Sequence, residues 1–292
     1  MNRLLAKLPG ALVLAIAGIL LAWSASGSAQ ETESLLKFKV ALTGDIDMSM
    51  KGKMTSDTHF GYTLQRRKNE VAVMCDGFGM KATQDGQPFF EAVLEPGKFF
   101  AKEKGEVVVD VTPEDANPKL KAMFKDSFGM PLCKFQVDAA GKELKKTITA
   151  GPGAKFLANN GVISNTRLFH PSFPEAKDTW TEVREVAAGG PSVAKGELTY
   201  EKPKDAKGRL VTVKVSGVLT AQGIALPGAP AGVTSTGRHS LKGEQVYDRT
   251  LKEWVSGKLT DEVAVEVFNK KEKVGSGKGT MTITLELLSP KP

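Results

Sequence analysis

A long alternation of apolar and polar residues is the feature that most restricts how this chain can fold. From Leu36 to Met54 every even-numbered residue is apolar or glycine, and most odd-numbered residues are charged or polar. Because strand side chains alternate between faces, the pattern predicts one apolar face and one solvated face. The stretch exceeds an ordinary strand, so we expect either a bulge or kink at Gly44 and Gly52, or a reversal at residues 43–45.

The same two-residue period recurs in the second half of the chain. It is carried by Val211, Val213, Val215 and Leu219, by Val263, Val265 and Val267, and by Met281, Ile283, Leu285 and Leu287. Long amphipathic strands joined by turn residues indicate an antiparallel sheet with one packed face. We therefore predict a mainly β fold with minor α content: a long, curved antiparallel sheet or half-barrel, with one or two short helices covering one face.

Two short segments have the boundary residues of helices. Asn117 suits an N-cap, Pro118 suits the first helical position, and Gly129 suits the end of that helix. A second short helix is predicted at residues 152–160. Residues 221–237 are rich in Gly, Pro, Ala, Ser and Thr, which predicts a long loop: a lid, a linker, a subdomain junction or a disordered segment.

The N-terminal segment has the three parts of a secretory signal peptide. Arg3 and Lys7 precede an apolar run over residues 11–23, and small residues follow up to Ala29. That run is shorter than the ~20 residues of a membrane-spanning helix. We predict a signal peptide over residues 1–29, cleaved next to Ala29, and a single β-rich domain over residues 30–290 that is periplasmic or extracellular. The first thirty residues hold no cysteine, so we expect no lipid anchor after cleavage.

The charge balance argues against a nucleic-acid partner. The chain has 40 Lys and Arg against 33 Asp and Glu, a net charge of +7. Nucleic-acid surfaces cluster Arg and Lys on one face with stacking aromatics, whereas here lysines are interleaved with carboxylates and aromatic residues make up 7% of the chain. Basic groups such as residues 66–68 flank strand-like runs and are typical of solvated turns.

Cys75 and Cys133 are the two cysteines of the chain. An even pair in an exported protein favours a disulfide, which would stabilise the fold by ~3 to 4 kcal/mol in the chain-entropy model. Both cysteines share the parity of neighbouring apolar residues, so both side chains are expected to point inward. The alternative is two separate buried thiols, because buried cysteine often packs as a small hydrophobe.

No motif in the sequence carries recognisable catalytic or metal chemistry. Met48, Met50, Met54, Met74 and Met80 lie near His59, a donor set that suits Cu(I). Packing on the apolar face explains the same methionines, so we predict no metal. The run Gly275 to Thr280 departs from a phosphate-binding loop, because a glycine separates its lysine from its threonine. Nucleophile-elbow, zinc-protease and Cys-x-x-Cys motifs are absent from the sequence. We therefore predict a non-enzymatic protein without catalytic residues or a cofactor.

Three short segments in the middle of the chain carry a resemblance. They read VDAAGKEL at residues 137–144, FHPSFP at 169–174 and KDTW at 177–180. In this order they resemble uncharacterised exported bacterial β-proteins, in which a hairpin and a helical stretch precede a Pro-rich turn and a strand-opening tryptophan. That family supplies no catalytic residues. In architecture the chain is also similar to the lipoprotein-localisation carriers, whose half-barrel sheet holds lipid against covering helices.

Our leading functional hypothesis is an exported binding protein for a lipid-like or other apolar ligand, or for an envelope partner. The long one-faced strand motivates it, and a cavity lined by Phe38, Met48, Met50 and Phe60 would be its site. The first alternative is a structural or adhesive envelope component with a closed core. The second is a hydrolase of unrecognised type, for which carboxylates would have to converge with His59 or His170.

Overall fold

The computed structural model describes residues 34–49, 52–128, 130–139, 141–187, 192–225 and 232–289. The predicted signal peptide, Met50 and Gly129 lie outside these ranges. Strands β1 to β6 are Ser34–Met48, Gly52–Arg67, Glu70–Gln84, Gln87–Glu95, Lys98–Glu103 and Glu106–Val111. Helix α1 (Pro118–Phe128), β7 (Cys133–Val137), β8 (Glu143–Ile148), α2 (Pro152–Asn159) and α3 (Val162–Phe169) follow. Strands β9 to β14 are Thr179–Ala187, Val193–Glu201, Leu210–Ala225, Val233–Asp248, Glu253–Asn269 and Glu272–Ser289.

All the described strands belong to one antiparallel sheet. Its order is β6-β5-β4-β3-β2-β1-β14-β13-β12-β11-β10-β9, and β7 pairs with β3 and β8 off this path. The two halves of the chain are therefore joined through β1 and β14, which pair from Lys37 to Met48. The sheet is curved and not closed, and short helices pack on one face. This confirms the predicted mainly β class.

The strand alternation is confirmed, but neither a bulge at Gly44 nor a reversal at residues 43–45 is found. Leu36, Phe38 and Val40 are buried, as predicted for the apolar face. Strand β1 runs on through residues 43–45 to Met48, its antiparallel partner β2 begins at Gly52, and no register shift occurs at Gly44. A Cβ at Gly44 would collide with the backbone of β14, so this glycine serves close strand packing. Gly52 has a φ of +73° and begins β2.

The helix prediction was correct for α1 and α2 but omitted α3. Asn117 Oδ1 accepts a hydrogen bond of 3.0 Å from the Leu120 backbone N–H, as expected of an N-cap. Helix α3 contains the consecutive residues Ser164, Asn165 and Thr166, which have low helix propensity. The hydroxyls of Ser164 and Thr166 donate to backbone carbonyls one turn earlier, and all three residues are buried. Tertiary packing therefore overrides propensity.

The predicted loop over residues 221–237 was wrong for most of its length. Strand β11 extends to Ala225 and β12 begins at Val233, while residues 226–231 lie outside the described ranges. The register shifts between Ala221 and Ile224 around Gly223, whose φ is +65°. A bulge accommodates the glycine while the side chains of Ala221 and Ile224 stay buried. Composition alone does not reveal such an arrangement.

The core lies between one face of the sheet, here called the inner face, and the three helices. Phe156 of α2 makes edge contacts with Phe78 and Phe99, and Leu157 and Leu168 of α2 and α3 are fully buried. No helix in the described part of the chain combines the length and apolar character needed to cross a bilayer.

Candidate functional site

A pocket of about 140 Å³ opens between the inner face and helices α2 and α3. We call it the inner-face pocket. Its apolar wall comprises Leu42, Val186, Met281 and Ile283, and its polar groups are Thr58, Asn160, Asn165, His239 and Asp261. A mostly apolar pocket with a few convergent polar groups is the usual form of a small-molecule site.

The polar centre of this pocket is a buried histidine–aspartate pair. His239 Nδ1–H donates to Asp261 Oδ2 over 2.7 Å, and the two residues are 7% and 2% exposed. Within the described residues, the second carboxylate oxygen, Oδ1, is buried without a hydrogen-bond partner. Leaving a buried acceptor unpaired costs about 1 to 3 kcal/mol, and more for a charged group. A residue of the pocket wall therefore carries a buried acceptor that no described side chain satisfies.

The register between β12 and β13 brings His239 and Asp261 together. Asp261 of β13 lies opposite Leu241 of β12, and His239 lies opposite Val263. The histidine and the aspartate are thus diagonal neighbours on the inner face, a spacing within reach of side-chain contact. Asn165 of α3 lines the pocket from the helix side. A sheet-borne pair covered by a helix is a rigid arrangement for a binding site.

A second buried polar cluster joins the turn after α3 to the sheet. His170 Nε2 lies 2.6 Å from Tyr62 Oη, and His170 Nδ1 lies 2.8 Å from Glu253 Oε1. Glu253 Oε2 accepts from Arg66 Nη2 at 2.5 Å, and Oε1 also accepts from the Trp254 N–H at 3.0 Å. Both oxygens of Glu253 are therefore satisfied. We call these residues the His170 network.

The pKa of Glu253 shows that this network holds the carboxylate charged. Burial raises the pKa, but His170, Arg66 and the Trp254 N–H outweigh burial and bring the pKa to about 2. Burial also raises the pKa of Tyr62 well above its usual value, and Glu253 adds to the rise. The hydrogen bonds and ion pairs of this network thus hold the turn after α3 against β2 and β13.

A smaller pocket of about 50 Å³ lies next to the His170 network. Arg66, Arg167 and Arg184 line it together with apolar side chains of β2, β3 and β7. Arg167 is paired with Glu143 at 2.9 Å and with Glu185 at 2.6 Å, and Arg184 is paired with Glu182. Since one water needs roughly 10–15 Å³ on this measure, the pocket has room for a few waters. Its volume makes it a weaker ligand site than the inner-face pocket.

Of the residues predicted to line an apolar cavity, the three that the structure describes do not lie together. Phe38 and Phe60 are fully buried, and both pack against Tyr62, with ring centroids 5.3 and 5.9 Å apart. Met48 is ten residues from Phe38 along the same strand, about 33 Å at ordinary strand rise. Met50 lies outside the described residues. The alternation predicts a shared face, but it does not predict position along the strand.

The predicted disulfide is not present in the structure, which has Cys75 and Cys133 as free, buried cysteines. Cys133 of β7 lies opposite Val73 of β3, two residues before Cys75. Burial raises the pKa of both thiols to about 12. The predicted inward orientation is confirmed, and the two residues pack as small apolar groups.

His59 and His170, the histidines considered for the hydrolase alternative, lie in different parts of the structure. His59 is exposed on the outer face, and His170 meets one carboxylate, Glu253, inside the His170 network. Among the described residues, no group of three or more His, Cys, Asp and Glu side chains could hold a metal ion.

Sequence reasoning missed His239 and Asp261. A signal was present, because Asp261 interrupts the apolar alternation of Leu259, Val263, Val265 and Val267. A charged residue at an inward position is costly unless it is paired, so the break marks a site. The partner histidine lies on another strand, and the sequence does not give the register that joins them.

Comparisons with known proteins add little to this description. No family model matches the chain, and no curated protein matches it. A solved structure of lipovitellin is similar over 87% of this chain with 11% identity and a TM-score of 0.43. This chain spans 25% of that lipovitellin chain. OccK5 of Pseudomonas aeruginosa matches over 87% of this chain and 98% of its own, with 6% identity and a TM-score of 0.23. Likenesses this weak carry no argument about function.

Proposed function

We propose that this protein is an exported, non-enzymatic binding protein, and that the inner-face pocket holds a small apolar or lipid-like ligand. The observation that carries the proposal is the buried Asp261 carboxylate, half-satisfied by His239, inside a pocket with an apolar wall. Export rests on the signal-peptide pattern at residues 1–29. The predicted family and its periplasmic or extracellular location form part of this proposal.

The pocket volume limits what the site holds. A cavity of about 150 Å³ takes up benzene in an engineered protein core, and the inner-face pocket measures about 140 Å³. The ligand, or the part of it inside the pocket, is therefore the size of a small ring or a short alkyl chain. The polar groups beside the apolar wall favour an amphiphile over a pure hydrocarbon.

Native mass spectrometry of the mature protein, purified from its exported compartment, tests this proposal. Two variants sharpen the test. Met281→Trp fills the pocket, and Met74→Trp makes the same change on β3, where its register partner Thr63 is outside the pocket lining. We expect a stoichiometric small molecule on the wild type and on Met74→Trp, and its loss from Met281→Trp. An empty wild-type protein contradicts the proposal and favours the structural or adhesive envelope role.

A further inference from the structure

We infer that the ligand of the inner-face pocket presents a hydrogen-bond donor, as an alcohol or a primary amine does, and that Asp261 selects against carboxylic acids. This inference rests on the proposed function and names the chemical class of the ligand. It begins from Asp261 Oδ1, which among the side-chain oxygens of the pocket-lining residues is the one that is buried and has no hydrogen-bond partner in the described part of the chain.

The hydrogen-bond geometry fixes what Asp261 Oδ1 requires. The other oxygen of this carboxylate, Oδ2, lies 2.7 Å from His239 Nδ1. Because a carboxylate oxygen can only accept a hydrogen bond, His239 Nδ1 is the donor in this contact. No Lys or Arg ion pair to Asp261 is found among the described residues, and the contact with His239 is the one that its carboxylate makes to a basic side chain there. An O–H or N–H group of a ligand satisfies Oδ1, whereas an ionised acid would bring a second negative charge beside it.

The other polar groups of the pocket are compatible with this class. Thr58 and Asn165 can each accept or donate, so they tolerate the same head group. The apolar wall of Leu42, Met281 and Ile283 accommodates the rest of a short chain. In an alcohol or an ammonium ligand, the donor group would face Asp261 and the alkyl chain would contact the apolar wall, so both ends of the ligand would have suitable partners.

Four six-carbon probes test the inference on the mature protein at pH 7.5 by ligand-observed NMR titration. Hexan-1-ol and 1-methoxypentane are isomers that differ in the O–H donor, and hexylamine and hexanoate add the two charges. We expect the alcohol and the amine to bind about tenfold more tightly than the ether, and hexanoate to bind more weakly still. In Asp261→Asn the alcohol and hexanoate should come within about threefold of each other. Glu262→Gln, an exposed charge change at the next residue of β13, should keep the wild-type order.

The outcomes separate the two claims. If all four probes bind equally well and Met281→Trp abolishes binding, the inference is overturned while the proposed function stands. If hexanoate binds the wild type as tightly as the alcohol does, the inference is again overturned. If no probe binds, the proposed function fails and the inference fails with it. The wild-type series decides the matter even if Asp261→Asn does not fold.

Discussion

Two buried carboxylates on strand β13 differ in how many of their oxygens are paired. Glu253 has hydrogen bonds on both oxygens, from His170, Trp254 and Arg66. Asp261, eight residues along the same strand, has one such bond, from His239. A fully paired buried charge is expensive to disturb, whereas a half-paired one has capacity for another donor. We therefore assign a structural role to Glu253, and Asp261 is the residue to which we attach the proposed binding role.

Replacing Glu253 tests the structural assignment. Glu253→Gln should lower the free energy of unfolding by about 3 to 5 kcal/mol, because it leaves the guanidinium of Arg66 without its buried partner. Urea denaturation followed by tryptophan fluorescence measures the loss. Glu266→Gln removes an exposed carboxylate from its pair with Lys273 and should change stability by less than about 1 kcal/mol. Equal effects of the two substitutions would contradict the structural role.

The pKa of Glu253 also predicts how stability responds to acid. Folding lowers this pKa from 4.5 to about 2, so the unfolded state binds more protons than the folded state between these values. The stabilisation, about 3 kcal/mol, is complete above pH 4.5 and is lost as the pH falls towards 2. Denaturation midpoints measured from pH 6 to pH 2 should show this loss. In Glu253→Gln the same titration should be flatter, and an unchanged slope would show that other groups cause the acid response.

At the scale of elements, close packing between β1 and β14 joins the two halves of the sheet. A Cβ at Gly44 would meet the backbone of Thr280, and a Cβ at Gly279 would meet the backbone of Asp45 and Ile46. Both glycines therefore leave space where the neighbouring backbone comes close.

Gly279→Ala should therefore destabilise the protein although the added group is one methyl. We expect a loss of about 1 to 3 kcal/mol, because the new Cβ must displace backbone instead of a flexible side chain. Gly97→Ala is the matched control, since a Cβ at that turn glycine meets nothing within 4 Å. Chemical denaturation of both variants gives the comparison. A Gly279→Ala protein as stable as the control would show that the sheet relaxes at this point.

The sequence predicts strand faces well and element boundaries poorly. Alternation correctly gave the buried positions of β1, and cap chemistry at Asn117 correctly gave α1. The same reasoning predicts a kink at Gly44 or a turn at residues 43–45, and a loop at residues 221–237, because glycine and small residues are typical of turns and loops. In the folded sheet Gly44 serves strand packing and Gly223 sits in a bulge. Those roles depend on the neighbouring strand, which local sequence does not specify.

At the scale of the whole molecule, the inner-face pocket exists because distant segments meet. Its lining comes from β1, β2, β9, β12, β13, β14 and the helical segment at residues 160–165. The pairing of β1 with β14 brings the first and last strands of the described sheet together. Long-range pairing of this kind creates the site, so no short motif could have revealed it. The interruption at Asp261 was the one local trace.

The measurement that tests the central claim most directly is a methyl-NMR titration of the mature protein, carrying ¹³C-labelled methionine methyl groups, with hexan-1-ol. Met281 lines the inner-face pocket, while Met74 and Met123 do not. We predict that the Met281 methyl signal shifts saturably and that the signals of Met74 and Met123 stay in place. A Met281 signal that does not move at high alcohol concentration, or equal shifts at all three methionines, would contradict a ligand site in this pocket.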